Sequence, residues 1–110
     1  MKKFMLLYLA PQPAEEHMSA DPEEMKKTME PWMAWKEKYG DAIVDFGVPL
    51  GKGANVGKGG GSDRKTQVGG YSIIQAENID AAKALVVDHP FLMGEGASVE
   101  VLEMMPVPGM

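Results

Sequence analysis

The sequence predicts an α+β domain of the ferredoxin-like order β-α-β-β-α-β, in which a four-stranded antiparallel sheet carries two helices on one face. Three observations predict it. Four apolar stretches of strand length are spread along the 110 residues. Two segments with helix-start signals fall between the first and second stretch and between the third and fourth. Proline and glycine punctuate most of the junctions. The length suits one hydrophobic core, so residues 1–110 are read as a single domain.

The first strand is Lys3 to Leu9, a continuous apolar run that Pro11 and Pro13 end. Both of its faces are apolar, with Phe4, Leu6 and Tyr8 on one and Met5, Leu7 and Leu9 on the other. Met1-Lys2-Lys3 ahead of this run resembles the start of a secretory signal, but the apolar stretch is short and a strand is the plainer explanation. The chain is therefore expected to be cytoplasmic. A first helix starts at Asp21-Pro22-Glu23-Glu24, where Asp21 can cap, Pro22 suits the first helical position and the glutamates complement the dipole. Met25, Thr28, Met29, Trp32, Met33, Trp35 and Tyr39 then fall on one broad face. Lys36 sits inside that face with its stem buried, Pro31 is expected to kink the helix near Lys27, and Gly40 is placed to cap the end.

Ile43 to Val48 reads as the second strand, with Val44, Phe46 and Val48 on the helix side and Ile43, Asp45 and Gly47 on the other. Pro49 to Lys65 holds six glycines and is expected to be a long, mobile hairpin loop without regular structure. Val68 to Ala76 is the third strand. Asn78 caps a second helix from Ile79 to about Asp88, with Ala82, Leu85 and Val86 inward, and Pro90 stops it. Ser98 to Met105 alternates as the last strand, and residues 106–110 are a tail.

Composition narrows the function classes. There is no cysteine, which excludes disulfides, thiolate metal sites and a cysteine nucleophile. A net charge of -5 argues against nucleic acid as a partner, and no apolar run is long enough to span a membrane. The two histidines, His17 and His89, are far apart and lack acidic residues at ligand spacing, so no metal and no cofactor are expected. The glycine-rich loop imitates a phosphate loop, but Gly53 to Gly57-Lys58 is one residue short of that pattern and no Ser or Thr follows the lysine. Its charges, Lys52, Lys58, Arg64 and Lys65, are placed to draw a small anionic or polar ligand, with a solubilising loop as the plainer explanation.

Several segments together resemble the YCII-related, or DGPF-type, family: Lys3-Phe4-Met5-Leu6-Leu7-Tyr8, the Trp32 and Trp35 helix leading to Asp45-Phe46-Gly47-Val48-Pro49-Leu50, then Gly69-Gly70-Tyr71, His89-Pro90-Phe91 and Val99-Glu100-Val101. The resemblance implies a homodimeric α+β barrel, in which two ferredoxin-like sheets pack face to face. In one branch of that family a histidine in the first helix and an aspartate before the proline after the second helix form a proposed acid-base pair. Here the first helix has no histidine and His89 stands before Pro90, so that pair does not carry over.

Alternation along the strands supplies the remaining candidates. If Val99 and Val101 face the helices, Glu100 faces the opposite side of the sheet, and the same parity sets Asp45 apart from Val44 and Phe46. Tyr71 and Tyr8 are candidates to join them in a small-molecule pocket inside the barrel. Burial there would raise the carboxylate pKa values and suit one of them to acid-base work. Asp45, Glu100 and His89 are the candidate catalytic residues, and Tyr8, Tyr71 and Trp32 the candidate ligand contacts. The plainer explanations are solvated or interface carboxylates, a histidine that is charged at a helix end, an ordinary surface role for His17, and core packing for Trp32. The function expected is small-molecule binding, with or without acid-base catalysis. The alternative is a non-catalytic binding or dimerisation module.

Overall fold

The structure is a computed structural model, and it describes residues 1–11, 21–63 and 66–109. His17, Arg64 and Lys65 lie outside the described residues. Strand β1 (Lys2–Leu9) leads to helix α1 (Pro22–Tyr39), a 3-10 turn at Gly40–Ala42 and strand β2 (Ile43–Asp45). Strands β3 (Ala54–Gly57), β4 (Gly60–Asp63) and β5 (Val68–Ala76) follow, then helix α2 (Ile79–Val86), a 3-10 turn at Pro90–Met93 and strand β6 (Ser98–Glu103). The main sheet has the order β2-β5-β1-β6, and every neighbouring pair is antiparallel. This is the ferredoxin-like α+β arrangement the sequence predicts. Among the described residues, no helix is long and apolar enough to cross a membrane.

The helices start and stop for the expected reasons. The Asp21 carboxylate accepts from the Glu23 N–H at 3.0 Å, and the Asn78 side chain accepts from the Ala81 N–H at 2.8 Å. Gly40 ends α1 at φ +47°, donating its N–H to the Lys36 carbonyl. Helix α1 runs continuously through Pro31. Its inner face is narrower than expected: Trp35 is buried and Met25, Met29, Trp32 and Tyr39 are half-buried, but Thr28 and Met33 are exposed. The Trp35 indole donates to the Leu85 carbonyl at 2.8 Å and ties α1 to α2.

The core lies between the sheet and the helices and is centred on Phe4, Leu6, Tyr8, Trp35, Ile74, Ala82 and Val86. Pairing across the sheet sets which side each residue takes. Leu6 lies opposite Ser72 on one side and Val101 on the other, and Tyr8 opposite Gly70 and Val99. The helix-covered side of β1 is therefore Phe4, Leu6 and Tyr8. This corrects the expectation that Tyr8 joins the carboxylates on the other side. Sequence could not choose between two apolar faces of one strand, whereas the ladder does.

Two further corrections concern the middle of the chain. The register shifts between Ile43 and Asp45, so Ile43 and Phe46 both pack on the core while Val44 is 45% exposed. The irregularity breaks the simple alternation assumed for this strand. The glycine-rich segment, expected to lack regular structure, holds a two-stranded antiparallel ribbon with Ala54 opposite Asp63 and Gly57 opposite Gly60. Lys58 and Gly59 form its two-residue turn, and Gly60 at φ +124° supplies a backbone conformation closed to other residues. Both ribbon strands are exposed along their length.

Candidate functional site

A cleft of about 820 Å³ opens on the helix side of the sheet. Helix α1 supplies Met25, Thr28, Met29 and Trp32; β1 and its continuation supply Tyr8, Ala10 and Pro11. The segment after β2 supplies Phe46 to Pro49, and the chain after α2 supplies Pro90, Phe91 and Gly94 to Ala97. Gly69, Gly70 and Tyr71 of β5 complete it. The Gly70 Cα approaches its neighbours closely, since a Cβ there would lie 3.3 Å from the Tyr8 ring. Aromatic edges meet faces along the wall. The Tyr8 ring lies 5.0 Å from Trp32 and 5.1 Å from Phe91, and the Trp32 ring lies 6.2 Å from Phe46.

Beneath that wall runs a chain of buried polar groups. His89 is 1% exposed, with its ring 4.6 Å from Trp32 and 4.3 Å from Trp35. Its Nδ1 accepts the Phe91 N–H at 3.0 Å, so the proton of the neutral imidazole is on Nε2. Nε2 lies 3.0 Å from the Tyr8 hydroxyl and donates to it. Tyr8 Oη in turn lies 2.7 Å from Ser72 Oγ. Ser72 donates to the Phe46 carbonyl at 2.6 Å, which leaves Tyr8 as donor to Ser72. All four bonds therefore run in one direction, and they link Phe91 to Phe46. Both of those residues line the cleft.

Both titratable members of the chain are uncharged at neutral pH. Burial pushes the His89 imidazole down to about 4, against a smaller upward pull from the adjacent Asp88 carboxylate. Burial pushes the Tyr8 phenol up to about 12, against a smaller lowering by Ser72. Asp88 faces away toward α1, where Lys38 and the Tyr39 hydroxyl bind it. The Lys38 bond holds its carboxyl below the usual range.

The structure divides the residues singled out in the sequence into two groups. Tyr8, Trp32 and Tyr71 border the cleft, and His89 lies directly behind it on Tyr8. Asp45 and Glu100 are elsewhere. Glu100 is exposed beside Leu7 on the uncovered face of the sheet, as strand parity requires. Asp45 is exposed opposite Ile73, and its carboxylate accepts the Gly47 N–H at 2.9 Å in a local turn. His89 is a buried neutral residue, not the charged helix-end group of the plainer sequence reading; α2 ends at Val86, before it. The cleft lies on the helix side of the sheet, whereas the pocket was expected on the opposite face.

Sequence reasoning missed Ser72, Phe46 and Phe91. A signal for Ser72 existed, because it shares strand parity with Gly70 and Ile74 and is the one hydroxyl in that buried row. Among the described residues, no cluster of His, Asp and Glu side chains is arranged to hold a metal ion.

The fold and the aromatic cleft define a ferredoxin-like α+β protein with an apolar site under its first helix. The sequence profile of the YCII-related domain matches residues 3–105, and the chain belongs to that family. No curated protein matches it.

Proposed function

We propose that this protein binds a small, mostly apolar molecule in the cleft beneath α1, and that it does so as a homodimer. The observation that carries the binding reading is the cleft itself: about 820 Å³, with an aromatic wall, held open above a polar chain whose bonds are all made. Sites for small ligands are typically concave and apolar with a few fixed polar groups. Acid-base catalysis has less support. Asp45, Glu100 and His89 do not line the cleft, and both ring nitrogens of His89 are already engaged. The dimer is supported by the uncovered sheet face. Met5, Leu7, Leu9, Tyr71 and Ile73 are only half-buried there and Leu102 is 43% exposed, an apolar patch that a second sheet would cover.

The binding reading is tested with Nile red, a neutral planar dye. Its emission is expected to rise with the wild-type protein and to fall back with Thr28→Phe, which puts a ring into the cleft from an exposed helix position. Equal dye emission with both proteins, at matched circular dichroism, refutes the cleft as the site.

A further inference from the structure

We propose that the ligand is an organic cation, a planar apolar body bearing a protonated amine, whose ammonium sits between Glu95 and the aromatic wall. This rests on the binding reading above and adds the class of ligand. Glu95 carries the only charge among the described residues that line the cleft. It is solvent-exposed, in the turn between Pro90–Met93 and β6, and none of the ion pairs between described residues involves it. A ligand carboxylate or phosphate would meet that charge with no cation among the described lining residues to offset it. An ammonium would gain from it.

The aromatic wall points the same way independently. Ring faces carry negative potential and attract ammonium groups. One ring of this wall already does so: Lys36 Nζ lies 5.3 Å from the centroid of the Phe46 ring, although Lys36 does not itself line the cleft. Trp32, the strongest such partner by residue type, is half-buried and borders the cleft. Most of the remaining described lining is methionine, proline, glycine and alanine, which suits an uncharged flat body. The anionic ligand expected from the glycine-rich loop finds no cation among the described lining residues.

The test uses three probes that share one ring system and differ in charge at pH 7: 2-(2-naphthyl)ethylamine, 2-(2-naphthyl)ethanol and 2-naphthylacetate. The chain has two tryptophans, so a nitrogen-15 spectrum shows two indole N–H signals, and Trp35→Phe identifies that of Trp32. Titration of the Trp32 signal gives each affinity. The amine is expected to bind about fivefold more tightly than the alcohol, and the acetate more weakly than both. Glu95→Gln, on an exposed turn, is expected to bring the amine to within about twofold of the alcohol. Acetate binding as tightly as amine, or an amine-to-alcohol ratio unchanged by Glu95→Gln, overturns the proposal and leaves the cleft reading standing. No shift of Trp32 with any of the three probes overturns both.

Discussion

Acid should destabilise this protein through His89 before it acts through the carboxylates. In the folded chain the imidazole titrates at about 4, because burial opposes its charge. In the unfolded chain it titrates near its ordinary value of 6.5. As pH falls below about 6.5 the unfolded state takes up a proton that the folded state refuses until about pH 4, so stability is lost across that interval and the loss levels off below it. The difference corresponds to about 3 kcal/mol. For a domain of this size that is on the order of 15 °C in melting temperature. The geometry gives the same sign, since a proton on Nδ1 would abolish the bond from the Phe91 N–H and leave two donors facing each other. Asp88 is held below the usual carboxylate range by Lys38, so its own contribution falls at lower pH. Urea unfolding at intervals from pH 7 to 4 measures the loss, and His89→Gln, which cannot charge, should show a shallower dependence. Parallel curves for the two proteins would refute this account. The imidazole carbon-bound proton shifts of the wild type provide a second check that does not depend on how well His89→Gln folds: a His89 titration at or above 6.5 refutes it equally.

Three other outcomes follow from the same geometry. Tyr8→Phe removes the centre of the buried chain and leaves the His89 Nε2–H without an acceptor, which should cost about 1–3 kcal/mol in urea unfolding; a loss below about 0.5 kcal/mol would show that the buried chain does not stabilise the fold. Gly47→Ala should cost about 2 kcal/mol or more, because Gly47 has φ +79° and a Cβ there would lie 1.8 Å from the Tyr71 carbonyl oxygen; a melting temperature equal to that of the wild type would contradict this. Leu7→Glu, on the uncovered sheet face, should turn a dimer into a monomer in sedimentation experiments at micromolar concentration, and a wild-type protein that sediments as a monomer would remove the dimer itself.

The order of elements, both helix caps and the position of Glu100 were legible in the sequence because each depends on local chemistry or on strict alternation. Asp21 and Asn78 cap where short polar side chains precede a helical pattern. Glu100 lies between two inward valines on a strand with regular register. The failures have equally specific causes. Both faces of β1 are apolar, so nothing local assigns Tyr8 to one of them; the pairing with Gly70 and Val99 does, and that is a long-range fact. The register shift after Ile43 upsets a parity count that assumed none. The glycine-rich ribbon forms because Val56 and its neighbours can pair across a turn that glycine makes cheap, which overrides the low strand propensity of the segment. His89 looked like a surface helix end because its burial is provided by Trp32 and Trp35, more than fifty residues away.

Successive residues of β1 thus serve opposite sides of the sheet. Tyr8 supports the cleft through Trp32, Phe91 and His89, while Leu7, one residue earlier, lies between Glu100 and Tyr71 on the uncovered face. A partner sheet can therefore cover Leu7 without displacing any member of the polar chain. Tyr71 belongs to both sides, since it borders the cleft and also pairs with Leu7. The Gly47 backbone presses against the Tyr71 carbonyl there, so the turn that begins at Asp45 is wedged between the cleft wall and the sheet edge. Asp45 then has a reason to be aspartate that involves no catalysis: its carboxylate holds the N–H of Gly47, where a side chain would run into the Tyr71 carbonyl. Among the described residues Glu100 makes no such bond. In the proposed dimer, an exposed carboxylate beside that apolar patch would limit how a second sheet can be set against it.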